Sequence, residues 1–189
     1  MKNKIIIIAV LFVLVASLFS KVKAQSEKTK VLATAKKTIV VLKNKDMKTL
    51  ASLAHPSKGI RFSAFAYINK DEDLVFKSNQ IIDLMKNKKV YVWGTMDESE
   101  QPIEMTFGEY YKKFLYDYDF AKPSRISYNR KNNNGIMINN IAEVYPKGIE
   151  VEFFINGTDD RMYGSLRLVF EKLNGKYFLV GIVRDTPGI

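Results

Sequence analysis

Leu173-Asn174-Gly175-Lys176 constrains this chain more tightly than any other segment. An Asn-Gly pair between two apolar runs reads as a two-residue hairpin of type I′, whose central residues both need positive φ. Pairing Leu173 with Lys176 sets Phe170 opposite Leu179, Leu168 opposite Gly181 and Leu166 opposite Val183. That face is apolar and should pack on helices. The reverse face pairs Glu171 with Phe178, Val169 with Val180, Arg167 with Ile182 and Ser165 with Arg184. Large apolar groups among these charges predict a face that is partly covered or lines a cleft. A slip of one residue would exchange the two faces.

Upstream, helical patterns dominate. Val31, Leu32, Ala35, Ile39 and Leu42 recur at helical spacing and predict a first helix over Glu27–Asn44. Asp46 is a good N-cap for a second helix through Ala54, which stops at His55-Pro56. Ile60–Ile68 alternates and reads as a strand, with Phe62, Ala64, Ala66 and Ile68 on one side and Arg61, Ser63, Phe65 and Tyr67 on the other. Ser78–Asn87 reads as a helix with Ile81, Ile82, Leu84 and Met85 inward, and Val90–Gly94 and Ile103–Met105 as short strands. Thr106-Phe107-Gly108-Glu109 is a capping box, opening a helix to about Tyr118 with an aromatic stripe from Phe107 to Leu115. From Ser124 onward the pattern is strands, with turns at Asn132–Gly135 and Asn156-Gly157. Helices crowd the first two-thirds and strands the last third. The fold class is therefore α+β, a curved antiparallel sheet with helices against one face.

The N-terminus is a targeting segment. Lys2 and Lys4 precede an almost unbroken apolar run of 15 residues, Ile5 to Phe19, and Val22-Lys23-Ala24 offers a cleavage site. A membrane span needs about 20 apolar residues, so the run fits a secretory signal better. Residues 1–24 are read as the signal and 25–189 as one domain, exported after cleavage following Ala24; an uncleaved anchor is the alternative. The 189 residues include no cysteine, which excludes disulfides, thiolate metal sites and cysteine nucleophiles.

The formal charge of +10 is unevenly spread. Four lysines sit in residues 1–24, and a net +5 in residues 25–48; residues 49–189 hold 19 basic and 18 acidic side chains, leaving +1. Nucleic-acid binding is not indicated for so neutral a body. Lys30, Lys36, Lys37, Lys43, Lys45 and Lys48 spread around the first helix and read as a solvated face, with weak attraction to anionic surfaces as the alternative.

Several segments carry a resemblance. Ala51–Pro56, Gly59–Ser63, Tyr91–Gly94, Thr106–Tyr111, Asn139–Pro146, Ser165–Glu171 and Tyr177–Ile182 look like a family of exported bacterial proteins of no settled function. The order of elements is similar to the cone-shaped NTF2-like (cystatin-like) fold. That resemblance implies a pocket for a small ligand, an enzyme or an interaction domain, and it brings no catalytic motif. It also implies a tryptophan near the C-terminus, where this chain has Thr186-Pro187-Gly188-Ile189.

Candidate chemistry is sparse. His55, the single imidazole, is either a general base or a structural group at a helix end. Asp71-Glu72-Asp73 lacks the alternation of a calcium loop and reads as a helix flank or solvated turn, and Asp97–Glu100 as a hairpin tip. Asn156-Gly157-Thr158 matches a glycosylation sequon, but a turn explains it better. No metal-ligand spacing or cofactor motif is present. Arg61, Tyr67, Trp93, Tyr145 and Arg167 form a candidate ligand pocket, suited to a carboxylate or sugar-like ligand if Trp93 and Arg167 converge on one cavity. The alternative is an aromatic core in which arginine meets a carboxylate such as Glu143 or Glu171. The leading expectation is an exported binding protein for a small ligand or envelope partner, ahead of a small hydrolase- or isomerase-like enzyme and of a protein–protein interaction module. N-terminal mass spectrometry of the secreted protein should find Gln25 first; Met1 would identify a retained anchor.

Overall fold

Asn174 (φ 49°) and Gly175 (φ 79°) turn the chain as a type I′ hairpin requires. The computed structural model describes residues 2–96, 99–129, 139–157 and 162–185, with side chains from Ser20 onward. In chain order the elements are α1 (Lys2–Lys43), α2 (Met47–Leu53), β1 (Ile60–Ser63), β2 (Leu74–Phe76), α3 (Ser78–Ile81), β3 (Val90–Thr95) and β4 (Pro102–Thr106). Then follow α4 (Phe107–Tyr110), β5 (Arg125–Tyr128), α5 (Ile141–Val144), β6 (Ile149–Ile155), β7 (Gly164–Leu173) and β8 (Lys176–Asp185). The expected turn at Asn132–Gly135, the sequon's Thr158, the tip residues Asp97 and Glu98, the C-terminal Thr186–Ile189 and the side chains of the leader's apolar run lie outside the described residues.

The architecture is α+β, with a mixed sheet. Six strands run in the order β2-β1-β8-β7-β6-β5, and β3 pairs with β4 separately. β1 lies parallel to β8 and every other pairing is antiparallel, so the wholly antiparallel sheet expected from the sequence is corrected at this one seam. α1 lies against β6 and β8 through the expected stripe, with Val31, Ala35, Ile39 and Leu42 buried and all its lysines from residue 21 on exposed. Asp46 caps α2 by accepting from the Thr49 N–H at 3.0 Å.

An aromatic cluster fills the space between the sheet and the β3–β4 pair. Trp93 stacks on Tyr110, with ring centroids 3.9 Å apart, and Phe62 meets Trp93, Phe107 and Tyr110 edge-on. The capping box opens α4 as expected, but the helix then widens: Tyr116 N–H donates to Tyr111 C=O at 2.7 Å, and Tyr111–Leu115 is π-helical. Other expectations are shortened. β1 ends at Ser63 rather than Ile68, and α3 is one turn, which leaves Ile82 46% exposed rather than inward. β2 and α5 are too short to show a period in the sequence.

The hairpin register holds from Leu173↔Lys176 to Phe170↔Leu179 and then shifts by one residue. Val180 is the extra residue, a β-bulge. Beyond it Leu168 faces Ile182, Arg167 faces Val183, Leu166 faces Arg184 and Ser165 faces Asp185. Each differs from the straight register expected from the turn alone. The Val180 carbonyl accepts from the Tyr145 hydroxyl at 3.1 Å. The same tyrosine lies over Gly181, where a Cβ would meet its ring at 3.4 Å. Tyr145, Ile68, Ile141, Val169, Val180 and Val183 form a second apolar cluster that covers the sheet's reverse face.

The bulge reverses the sides of the last two residues of β8. Arg184 enters the main core, pairs with Asp117 at 2.7 Å and lies 5.0 Å from the centroid of Phe120. Asp185 turns to the reverse face and meets Arg167 at 2.8 Å. Deleting Val180 should restore the straight register, strand both charges and cost more than about 4 kcal/mol. Val180→Ala, which keeps the bulge, should cost about 2 kcal/mol. Urea unfolding distinguishes them, and equal losses would mean that register does not depend on the bulge.

Candidate functional site

Past Ser63 the chain leaves the sheet and builds a cleft. Phe65 packs edge-on against Phe114 at 6.4 Å, Tyr67 turns outward at 58% exposure, and Ile68 returns to the reverse-face cluster. The Asn140 carboxamide holds Ile68 through both backbone groups, accepting from its N–H at 2.8 Å and donating to its C=O at 2.9 Å. Asp73 N–H then donates to Asn69 C=O at 2.8 Å, and β2 runs back along β1. Continuing that ladder by one pair places Asp73 opposite Ser63. Arg61 closes the loop from the sheet side, donating from Nη1 to the carbonyls of Asp73 (2.9 Å) and Lys70 (3.3 Å).

The opposite wall is the irregular end of β3. Gly94 has φ +121° and sits beside Glu72, whose Oε2 would be 3.7 Å from a Cβ there. The resulting cavity measures about 310 Å³ and is lined by Phe65, Tyr67, Asn69, Glu72, Asp73, Gly94, Thr95, Met96 and Glu100. Among the described residues no basic side chain lines it. Asp73 Oδ2 is buried without a hydrogen-bond partner, as is Arg61 Nε. Burial pushes the Asp73 carboxyl up to about 7, against the opposing pull of Ser63 and Arg61. The group can therefore exchange a proton at neutral pH, or meet a donor or cation entering the cleft. Among the described residues no group of three His, Asp or Glu side chains is placed to hold a metal ion.

The five residues suggested for one pocket do not form one. Arg61 and Tyr145 are neighbours on the reverse face, and Tyr67 lines the cleft that Arg61 braces from behind. Trp93 belongs to the main core, 1% exposed, with its indole N–H donating to Met105 C=O at 2.9 Å. Arg167 lies on the other side of the sheet, alternating with the core residues Leu166 and Leu168. The two therefore share no cavity.

Arg167 is the hub of a buried ionic cluster. Its Nε lies 3.2 Å from Glu150, and its Nη2 lies 3.2 Å from Glu152 and 2.8 Å from Asp185. Ser165 donates to Glu152 at 2.9 Å, and Tyr163 donates to Asp185 at 2.8 Å. Three carboxyls face one guanidinium. Desolvation, reinforced by Glu152, pushes Glu150 up to about 7 although Arg167 pulls it down. The arginine does meet carboxylates, but neither of those expected: Glu171 pairs with Lys58, and Glu143 is exposed.

His55 is 5% exposed where α2 gives way to β1. Its Nδ1 accepts from the N–H groups of Ser57 (3.3 Å) and Lys58 (3.2 Å), which requires that nitrogen to be unprotonated. Burial lowers its pKa below the usual histidine range, consistent with a neutral turn-organising ring. It does not line the cleft.

The residue that sequence reasoning missed is Asp73, taken as part of a solvated acidic turn. Its signal lay in Leu74-Val75-Phe76, a short apolar run that pairs with β1 and carries Asp73 to Ser63. Comparison with protein-family models, curated proteins and solved structures finds no match to the chain.

Asp73 and Glu150 are acids whose native pKa lies above the ordinary carboxylate value, so the folded state keeps protons that the unfolded chain releases. Their stabilisation is complete below about pH 4 and is lost as pH rises through about 7. His55, shifted downward, contributes in the opposite sense below about 6.5. Thermal unfolding between pH 5 and 8 should show Tm falling with pH, and Asp73→Asn combined with Glu150→Gln should flatten that fall. An unchanged slope in the double variant would exclude these carboxyls as its source.

Proposed function

We propose that the chain is an exported, single-domain binding protein of NTF2-like architecture whose cleft beside Asp73 receives a small ligand. One observation carries this reading: an open cavity of about 310 Å³ adjoins a half-buried carboxyl that is raised in pKa and has one oxygen buried without a hydrogen-bond partner. Sites of this kind combine apolar walls with a few convergent polar groups. Phe65, Tyr67 and Met96 are the apolar part, and Asn69, Thr95, Glu72, Asp73 and Glu100 the polar part. A helix laid across a sheet that ends in a long hairpin supports the architecture, and the apolar N-terminal run supports export. The lysines of α1 remain exposed for weak contact with anionic envelope surfaces.

The lining changes the expected ligand chemistry. Arginine was to have bound a carboxylate or sugar, but Arg61 is turned to backbone carbonyls and Arg167 is enclosed by acids. A cleft lined, among the described residues, by three acidic side chains and no basic one suits a small amine or amino sugar, whose ammonium would meet a carboxylate and an aromatic face. A second reading rests on the Asp73 pKa alone: a carboxyl near 7 is suited to general acid–base catalysis in the same cleft.

A thermal-shift series with small amines, amino sugars, neutral sugars and carboxylates tests the binding reading. Amines or amino sugars should raise Tm in a saturable manner, and Asp73→Asn or Glu72→Gln should weaken the shift about tenfold in midpoint concentration. Stabilisation by carboxylates alone, or by none of these compounds, would contradict the assignment. Turnover of a stabilising compound, lost in Asp73→Asn, would establish the enzymatic reading.

A further inference from the structure

A trough runs between α1 and β5. At one end it is a cavity of about 340 Å³ between Lys28, Leu32 and Lys36 of the helix and Ile126 and Tyr128 of the strand. At the other it is about 350 Å³, floored by Ile39, Phe120 and Phe153. Lys36 and Ile126 belong to both, so the two form one continuous surface. Its apolar content is partly exposed, with Val40 at 52% and Ile126 at 37%. Among the described residues each charged side chain lining it is a lysine.

Among the described residues the strand beside this trough has an unpaired edge. Among the described residues β5 ends the six-stranded sheet. Asn129 N–H donates to Glu150 C=O at 2.7 Å, which places that residue on the side bonded to β6. Antiparallel ladders alternate, so Arg125 and Ser127 also bond towards β6. The N–H and C=O groups of Ile126 and Tyr128 therefore point away from the sheet. The side chains of these same two residues face the trough, since they pair with Phe153 and Val151 of the main core.

We propose that this edge and trough receive an extended, acidic segment of a partner protein, which adds as a seventh strand beside β5. Main-chain hydrogen bonds to Ile126 and Tyr128 would give affinity, and alternate apolar side chains would enter the trough towards Phe120 and Phe153. Charge selects the segment. Lys28 and Lys36 on the trough side and Arg125, which lies over Phe154 on the other face of β5, together favour carboxylates, whereas a second copy of β5 would add another Arg125 to that other face. An anionic lipid would satisfy the lysines and fill the trough, but it has no use for the four outward backbone groups.

Fluorescence anisotropy with the full chain and a labelled, blocked peptide Glu-Val-Glu-Val-Glu-Val-Glu tests the proposal. The peptide should bind saturably and more weakly as salt is added, while the Lys-Val counterpart should not bind. Lys28→Glu with Lys36→Glu should weaken binding about tenfold. Ile126→Pro, which removes an outward N–H and no bond to β6, should do the same. Should that variant fail to fold, two peptides N-methylated at alternate residues make the same distinction. Strand addition predicts that one loses about tenfold in affinity and the other keeps it. Equal loss or no loss in the two methylated peptides would overturn strand addition. So would binding of the Lys-Val peptide, or binding of phosphatidylglycerol vesicles with none of the Glu-Val peptide.

Discussion

The β-bulge at Val180 is the constraint on which the rest of this structure depends. One extra residue in β8 changes the side of each residue from Gly181 to Asp185, the charged Arg184 and Asp185 among them. In a straight hairpin Arg184 would stand on the same face as Arg167, and Asp185 would enter an apolar core. With the bulge, Arg184 meets Asp117 beneath Phe120 and Asp185 meets Arg167. Arg184 thereby acquires a carboxylate, and Asp185 joins Glu150 and Glu152 around Arg167. Buried charges are tolerated only when paired, since each unpaired ion costs several kcal/mol. Tyr145 sustains the irregularity from outside, by bonding to the Val180 carbonyl and lying over Gly181, where a larger residue would crowd it.

The same reverse face organises the cleft. Ile68 packs in the cluster around Tyr145, and Asn140 clamps its backbone, so the segment from Ser63 to Asp73 is anchored in its middle. Arg61 anchors its end through the Asp73 and Lys70 carbonyls. Asp73 is consequently held against the sheet, where burial, not sequence context, sets its protonation. The two carboxyls raised to about 7 arise differently: Glu150 crowds with other acids around one arginine, whereas Asp73 is half-buried with an oxygen left unmatched beside an open cavity. The second lines a cavity of about 310 Å³.

Local patterns were legible wherever one physical rule acted alone. The Asn-Gly turn, the Asp46 cap, the Thr106–Glu109 capping box and the apolar stripe of α1 all appear as read. The aromatic stripe from Phe107 to Leu115 is buried as expected even though its helix changes to π-type hydrogen bonding. Errors begin where two elements must agree. Ile82 faces outward because α3 stops after one turn, and β1 ends early because Phe65 is drawn to Phe114. Of the residues suggested for one pocket, Tyr67 lines the cleft and Arg61 holds the backbone behind it, while Trp93, Arg167 and His55 lie elsewhere. Asp73 was passed over because an acidic triplet in a polar stretch resembles solvated surface.

What the sequence by itself determined is the set of short-range commitments: an α+β order, a terminal hairpin, a lysine-coated first helix and a body that carries almost no net charge. These follow from turn sterics, capping and hydrophobic period, which act over a few residues. Tertiary structure decided the parallel seam between β1 and β8, the bulge that distributes Arg184 and Asp185, and the burial of Asp73. Each depends on groups far apart in the chain. Tyr145 meets Gly181, Asp117 meets Arg184 and Arg61 meets Asp73 only after the sheet has assembled. The energy of a buried charge or an unmatched carbonyl is set by what surrounds it, and no local window of sequence contains those surroundings.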